Sequence, residues 1–422
     1  MRTLINTGIF FIYVLTLLLY WTNIVPDLKE DLTVYVVSSV TLGVMAAMYY
    51  LQAVFAKAFT RQDLLILLVF TVILAGHVYY SETTALQALN ILAVCYLYVV
   101  YPKISIQTKW VYRALFWGFI LMSVVFLPEI RASLENRTAE YSGFFGLFDS
   151  ANSVGTLGTI ALFSFFLAEE GKTRGQLRRL IAVFFIFVVI FASHQRAALL
   201  MLAVWLLVFV LLKIGMKKSW IFVAFLAVLA LVGAYIVQTE LSTNQELFGG
   251  YEMFGKEANT RGRSEQINSA LSSFDITAWG VGRGIVNSSV VADTRYGVHN
   301  TFVVSLLEYG YLMFAFYIFF LFWLFRKAKL VTASFILAYH VILFVESENF
   351  FSNHLLTFLA FSTILMSEGD KIREDAALAE GEEEEEEDEE EEGEEGEAGE
   401  GEAGEGEAVA EEGLAQEIEN EL

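Results

Sequence analysis

Apolar residues recur in long runs along the chain, from residue 4 to residue 367, with short polar stretches between them. The runs fall at 4–22, 32–56, 64–80, 85–101, 110–127, 152–169, 180–193, 197–212, 220–238, 299–325, 330–347 and 355–368. A helix needs about 20 apolar residues to cross a ~30 Å hydrocarbon core, and several runs reach that length. Inside a bilayer each backbone N–H and C=O must be bonded within its own segment, which selects helices. The pattern therefore predicts an all-α, polytopic transmembrane protein of about 12 spans. The region 180–212 reads as one helix or two, because "SHQR" holds no turn residue.

Composition agrees with this class. The chain is 56 % hydrophobic and has only 3 prolines among 422 residues. No small-residue cleavage site follows the first run, so no cleaved signal peptide is expected. The single cysteine, Cys95, lies inside a predicted span, and no intramolecular disulfide is possible.

Charge divides the chain in two. The formal net charge is −22, yet residues 374–422 carry 26 acidic side chains and no basic one. The remaining 1–373 has 23 acidic and 27 basic residues, a net of +4. The segment 374–422 is of low complexity and repels itself, so it is expected to be a disordered tail. Within 1–373, Lys and Arg set the orientation. With the N terminus in the cytoplasm, 18 of the 27 basic residues face inward. This N-in, C-in arrangement requires a break at Ser193–Arg196 and puts the acidic tail in the cytoplasm. It leaves two large outer loops, 128–151 and 239–298. Any chemistry is expected at the outer face.

The candidate chemistry lies among residues that this rule disfavours there. Arg131, Arg196, Arg261, Arg263, Arg283 and Arg295 are predicted outside. Arginine suits bidentate recognition of phosphate and keeps its charge when partly buried. Snorkelling to the interface is the plainer explanation of one such residue, but several together point to an anionic ligand. His299 opens the tenth run beside Asn300; a helix-end cap and a proton acceptor are both open to it. Glu308 lies inside the same run and needs a partner or a wet cavity. His77, His194, His299 and His354 all fall at predicted outer ends, but no pair has i,i+4 spacing and no cysteine joins them, so no metal site is expected.

Four segments together resemble the O-antigen ligase and polymerase superfamily of bacterial envelope enzymes. "GFFGLFDSANSVGTLG" is similar to a Gly-rich stretch ending in Pro-Asn, with Ala151 in place of the proline and Asn152 on the asparagine. "SHQRAALL" resembles a Ser-x-Ser-Arg segment, with Arg196 on the arginine and Gln195 where a serine is common. "TRGRSEQINSALSSFDITAWGVGRG" resembles a Gly-Arg helix followed by a Gly-x-Gly turn, with Arg263 on the arginine. "HNTFVVSLLEYGY" is similar to a His-Asn-x-aromatic motif with a downstream Glu-x-Gly, matching His299, Asn300, Glu308 and Gly310.

The resemblance implies transfer of a glycan from undecaprenyl diphosphate, without metal or other cofactor, at the outer face of the bacterial inner membrane. It implies His299, Arg196 and Arg263 as catalytic residues. Asn300, Arg261, Arg283, Asn152 and Glu308 would contact substrate. The acceptor would be lipid A core or a second lipid-linked glycan; a capsule or exopolysaccharide polymerase and a protein O-oligosaccharyltransferase fit the same motifs. Membrane lipids are the other expected partners, and no nucleic acid is. A lipid-linked-sugar transporter or flippase is the alternative of another class. It would show two halves with matching broken helices, whereas here the polar residues gather after residue 130.

Overall fold

A computed structural model describes residues 2–28, 31–135, 144–148, 151–169, 176–243, 252–253, 256–257, 261–294, 298, 300–345, 355–370 and 372. The described residues are almost wholly helical. In chain order the helices are α1 (Arg2–Trp21), α2 (Leu32–Phe55), α3 (Arg61–Tyr80), α4 (Ala85–Val100), α5 (Thr108–Val125), α6 (Leu127–Glu135), α7 (Ala151–Ala168) and α8 (Gln176–Ala192). There follow α9 (Arg196–Lys213), α10 (Lys218–Thr243), α11 (Arg261–Ser273), α12 (Ile285–Thr294), α13 (Thr301–Lys327), α14 (Leu330–Val345) and α15 (355–370). A two-residue hairpin pairs Glu252–Met253 with Lys256–Glu257. The acidic segment 374–422 lies outside the described residues.

The helices begin where short polar side chains can take up free N–H groups. Asp31 accepts from Thr33 and Val34 at the start of α2. Thr60 with Asp63, and Thr84 with Gln87, form capping boxes on α3 and α4. Each such cap contributes about 1 kcal/mol. Asp63 also pairs with Lys103 at 2.7 Å, tying the start of α3 to the turn after α4.

Among the described residues, six helices are long and apolar enough to cross a membrane, and a seventh crossing results if the bent pair α5–α6 is one span. α7, α8 and α14, and the part of α10 at Lys218–Ala234, are shorter apolar stretches. The outward surface of this body is apolar. Leu64, Leu65, Leu68 and Val72 all point out from α3, as do Trp117 and Leu121 from α5 and Leu206 and Leu207 from α9. Soluble proteins rarely expose contiguous apolar faces of this size; hydrocarbon is the solvent that suits them. The interior is aromatic. Phe163 of α7 stacks on Phe335 of α14 at 3.9 Å, and Trp205 of α9 packs edge-on to both while donating to Ser334 at 3.0 Å.

The break expected at Ser193–Arg196 is present, and two other features differ from the predicted spans. α8 and α9 are separate helices around a turn at 193–195, with His194 at φ 53°. The stretch after residue 127, read as loop, begins with α6, bent 70° from α5; the stretch 239–298 likewise holds the end of α10 together with α11 and α12. α13, read as one continuous span, is broken at Gly310, where φ is 79° and ψ 168°.

Candidate active site

The break in α13 organises the site. Interrupting a helix frees backbone groups that have no water to bond inside a membrane. Here the loop at 277–282 takes them up. Val281 N–H donates to Leu307 O and Gly282 N–H to Glu308 O, each at 3.0 Å. In return Tyr311 N–H donates to Thr277 O at 3.0 Å and Leu312 N–H to Ala278 O at 3.3 Å. The two backbones approach so closely that a Cβ on Gly280 would collide with Glu308 O, and one on Gly310 with Ala278 O. Both glycines also have positive φ, 74° and 79°. The Gly-x-Gly turn and the Glu-x-Gly of the sequence are thus two halves of one junction.

The other side of this loop is fixed to α3 and α4. The Trp279 ring lies against Gly76, where a side chain would strike it, and stacks on Tyr80 at 5.6 Å. His77, fully buried, places Nδ1 2.5 Å from Trp279 O and Nε2 2.8 Å from Thr83 Oγ1. A carbonyl only accepts, so Nδ1 donates and Nε2 accepts from Thr83. Glu82 N–H donates to Val281 O, and Gln87 Nε2 to Arg283 O at 3.3 Å.

A second small core ties the neighbouring helices to this junction. Ala270 of α11, Val286 and Val290 of α12, Val298, and Val304 and Leu307 of α13 are buried together. Arg283, Asn300, Glu308 and the helix bearing Arg261 and Arg263 therefore belong to one packed unit. Arg283 is half-buried in the turn before α12. Glu308 is 1 % exposed and is not isolated there. Asn300, expected to contact substrate, caps α13: its Oδ1 accepts from Val303 N–H at 3.0 Å. Arg261 and Arg263 fall in the first turn of α11, with side chains outside the described residues, and His299 lies outside them altogether.

Arg196 and Asn152 belong to a second group, around the α8–α9 turn. Arg196 is the first residue of α9 and half-buried; Asn152 is the second residue of α7 and exposed. Gln195, which replaces the serine of the resembled motif, donates from Nε2 to Thr156 Oγ1 at 3.3 Å. Gly155 leaves the space for its amide. His194 Nε2 lies 3.1 Å from Ser133 O of α6. The turn is thus clamped between α6 and α7, which fixes where α9 presents Arg196. α14 packs against both α9 and α13 and is the common neighbour of the two groups.

Gly76 and Trp279 were not singled out by sequence reasoning, and His77 only as a histidine at a predicted outer end. A motif such as "TAWGVG" shows that a turn exists, not which distant helix it will lock.

A body with this many apolar helices, outward apolar faces and a broken helix sealed by a loop is an integral membrane protein of the all-helical class. Residues 181–318 match the family model described as O-antigen ligase, and this match supports the O-antigen ligase superfamily for the chain. The matched segment runs from α8 into α13 and includes Arg196, Arg261, Arg263, Arg283, His299, Asn300 and Glu308, with Asn152 outside it. No curated protein matches the chain at a significant level.

Proposed function

We propose that the protein is a membrane glycosyltransferase that moves a glycan from undecaprenyl diphosphate to an acceptor hydroxyl at the outer face of the bacterial inner membrane. The observation that carries this reading is the junction of loop 277–282 with the break in α13. It gathers Arg283 and Glu308 into one rigid unit, inside the segment that matches the O-antigen ligase family. The accompanying topology is twelve crossings, N-in and C-in, with 374–422 as a disordered cytoplasmic tail.

In this reading the bond between the anomeric carbon and the diphosphate oxygen breaks as the acceptor oxygen attacks from the opposite face. The anomeric centre inverts. The departing electron pair stays on the diphosphate, where Arg196 and Arg263 stabilise the growing charge, so metal is not required. The acceptor proton passes to His299. Arg261, Arg283, Asn152 and Glu308 hold the donor and acceptor. Asn300 contacts the substrate from the start of α13, which it also caps. Lipid A core and a second lipid-linked glycan are equivalent acceptors for this chemistry, which makes ligase and polymerase two outcomes of one mechanism.

The test is a pair of variants at His299. His299→Ala is expected to reduce transfer by about 10²–10⁴-fold, the usual contribution of a positioned base, while binding of the donor lipid persists. His299→Gln keeps hydrogen bonding but takes no proton at neutral pH, and is expected to be equally inactive. An active Gln variant beside a dead Ala variant would make His299 a positioning residue and remove it as the base.

A further inference from the structure

Below the Arg283 turn, three helices outside the family-matched segment present polar groups to one another. Tyr13 of α1 and Asn90 of α4 are fully buried. Asn90 Nδ2 donates to Tyr35 OH at 3.1 Å and to Ser39 Oγ at 3.0 Å, both on α2. Gln87, one turn before Asn90, holds the Arg283 carbonyl. Tyr13 lies within electrostatic reach of both Tyr35 and Arg283. The hydrogen bonds join α2, α4 and the Arg283 turn, and α1 packs against α2. Three buried atoms there have no hydrogen-bond partner among the described residues: Tyr13 OH, Asn90 Oδ1 and Arg283 Nη1.

Buried polar atoms without partners are uncommon, because each costs about 1–3 kcal/mol of desolvation. A guanidinium in a membrane domain is costlier still, and such groups mark ligand sites. The chemistry of the three atoms is complementary to one kind of group. Arg283 Nη1 and the Tyr13 hydroxyl donate, which suits phosphate oxygens; Asn90 Oδ1 accepts, which suits a hydroxyl beside the phosphate. The turn that carries Arg283 is rigid, fixed by Gln87 on one side and the α13 junction on the other, so little ordering is needed on binding.

We infer that Arg283, Tyr13 and Asn90 form a binding site for the phosphate-bearing headgroup of a glycolipid, built jointly by the N-terminal helices and the loop before α12. This rests on the reading that the protein takes a lipid-linked diphosphate, and adds the N-terminal helices to the site that holds it.

The experiment reads binding, not turnover, so its failure and the failure of the transferase reading are separable. The full chain in lipid nanodiscs is titrated with undecaprenyl diphosphate in one arm and with inorganic pyrophosphate in the other, following the thermal unfolding midpoint. The unliganded Tyr13→Phe protein should unfold no earlier than wild type, since the hydroxyl it lacks is unpartnered. It should need about tenfold more ligand for the same shift, the worth of one hydrogen bond to a charged group. Asn90→Asp, which sets a carboxylate against the phosphate, should weaken binding further. Stabilisation by the lipid alone assigns the site to the whole headgroup; stabilisation by both probes assigns it to the phosphate. The inference is overturned if neither probe stabilises wild type, or if Tyr13→Phe binds both probes as wild type does.

Discussion

At the scale of single residues, the side chains around the site divide by what the fold already asks of them. Asn300 and Gln195 have structural tasks: one caps α13, the other seats the α8–α9 turn on Thr156. His77 and His194, both at predicted outer ends, bond backbone carbonyls instead of facing a ligand. These assignments were only partly legible in the sequence. A cap can be read from Asn followed by an apolar run, but the partner of a buried histidine lies hundreds of residues away, as Trp279 does from His77. Arg196 and Arg263 are the residues proposed to take the charge of the diphosphate. Lysine keeps their charge and loses the planar fork that grips two phosphate oxygens. Arg196→Lys and Arg263→Lys are each expected to cut transfer at least about tenfold, the worth of one charge-assisted hydrogen bond, with expression and membrane insertion unchanged. Transfer within twofold of wild type in both variants would reduce the two arginines to interfacial charges.

At the scale of elements, the helices outside 128–151 and 239–298 were legible from hydrophobic runs, and the break at 193–195 from the charge pattern that required it. The bend between α5 and α6 and the break in α13 were not. Hydrophobicity runs straight through Gly310, and the reason for the break is the loop at 277–282, which supplies the hydrogen bonds that a continuous helix would have made for itself. The same fact bears on the transporter alternative. In transporters, broken half-helices turn their free ends toward substrate or ions; here the backbone groups of Leu307, Glu308, Tyr311 and Leu312 are already taken by the loop. Gly280→Ala tests the junction. It combines an unfavourable positive φ with a collision against Glu308 O, and is expected to cost about 3 kcal/mol or more. Gly284→Ala is the control. Its φ of 83° is equally unfavourable, but nothing lies within 4 Å of the added Cβ, so it should cost about 1–2 kcal/mol. Thermal unfolding in detergent distinguishes them: a lower midpoint for the Gly280 variant supports the junction, and equal midpoints would mean that the close approach carries no energy.

At the scale of the whole molecule, the fold places the two groups of site residues on helices that share α14, and anchors the loop before α12 to α3 and α4. Roughly the first third of the chain contributes only hydrophobicity to a reading of the sequence, yet it supplies Gly76, His77 and Gln87, which hold the Arg283 turn. The central claim is that this assembly transfers a glycan and does not move one across the bilayer. The direct measurement reconstitutes the full chain in proteoliposomes with undecaprenyl diphosphate-linked glycan and offers lipid A core, or further lipid-linked glycan, as acceptor in the presence of EDTA. The account predicts an acceptor–glycan conjugate with inverted anomeric configuration and one undecaprenyl diphosphate released per transfer. An intact donor that crosses the bilayer without forming conjugate on either acceptor would contradict it.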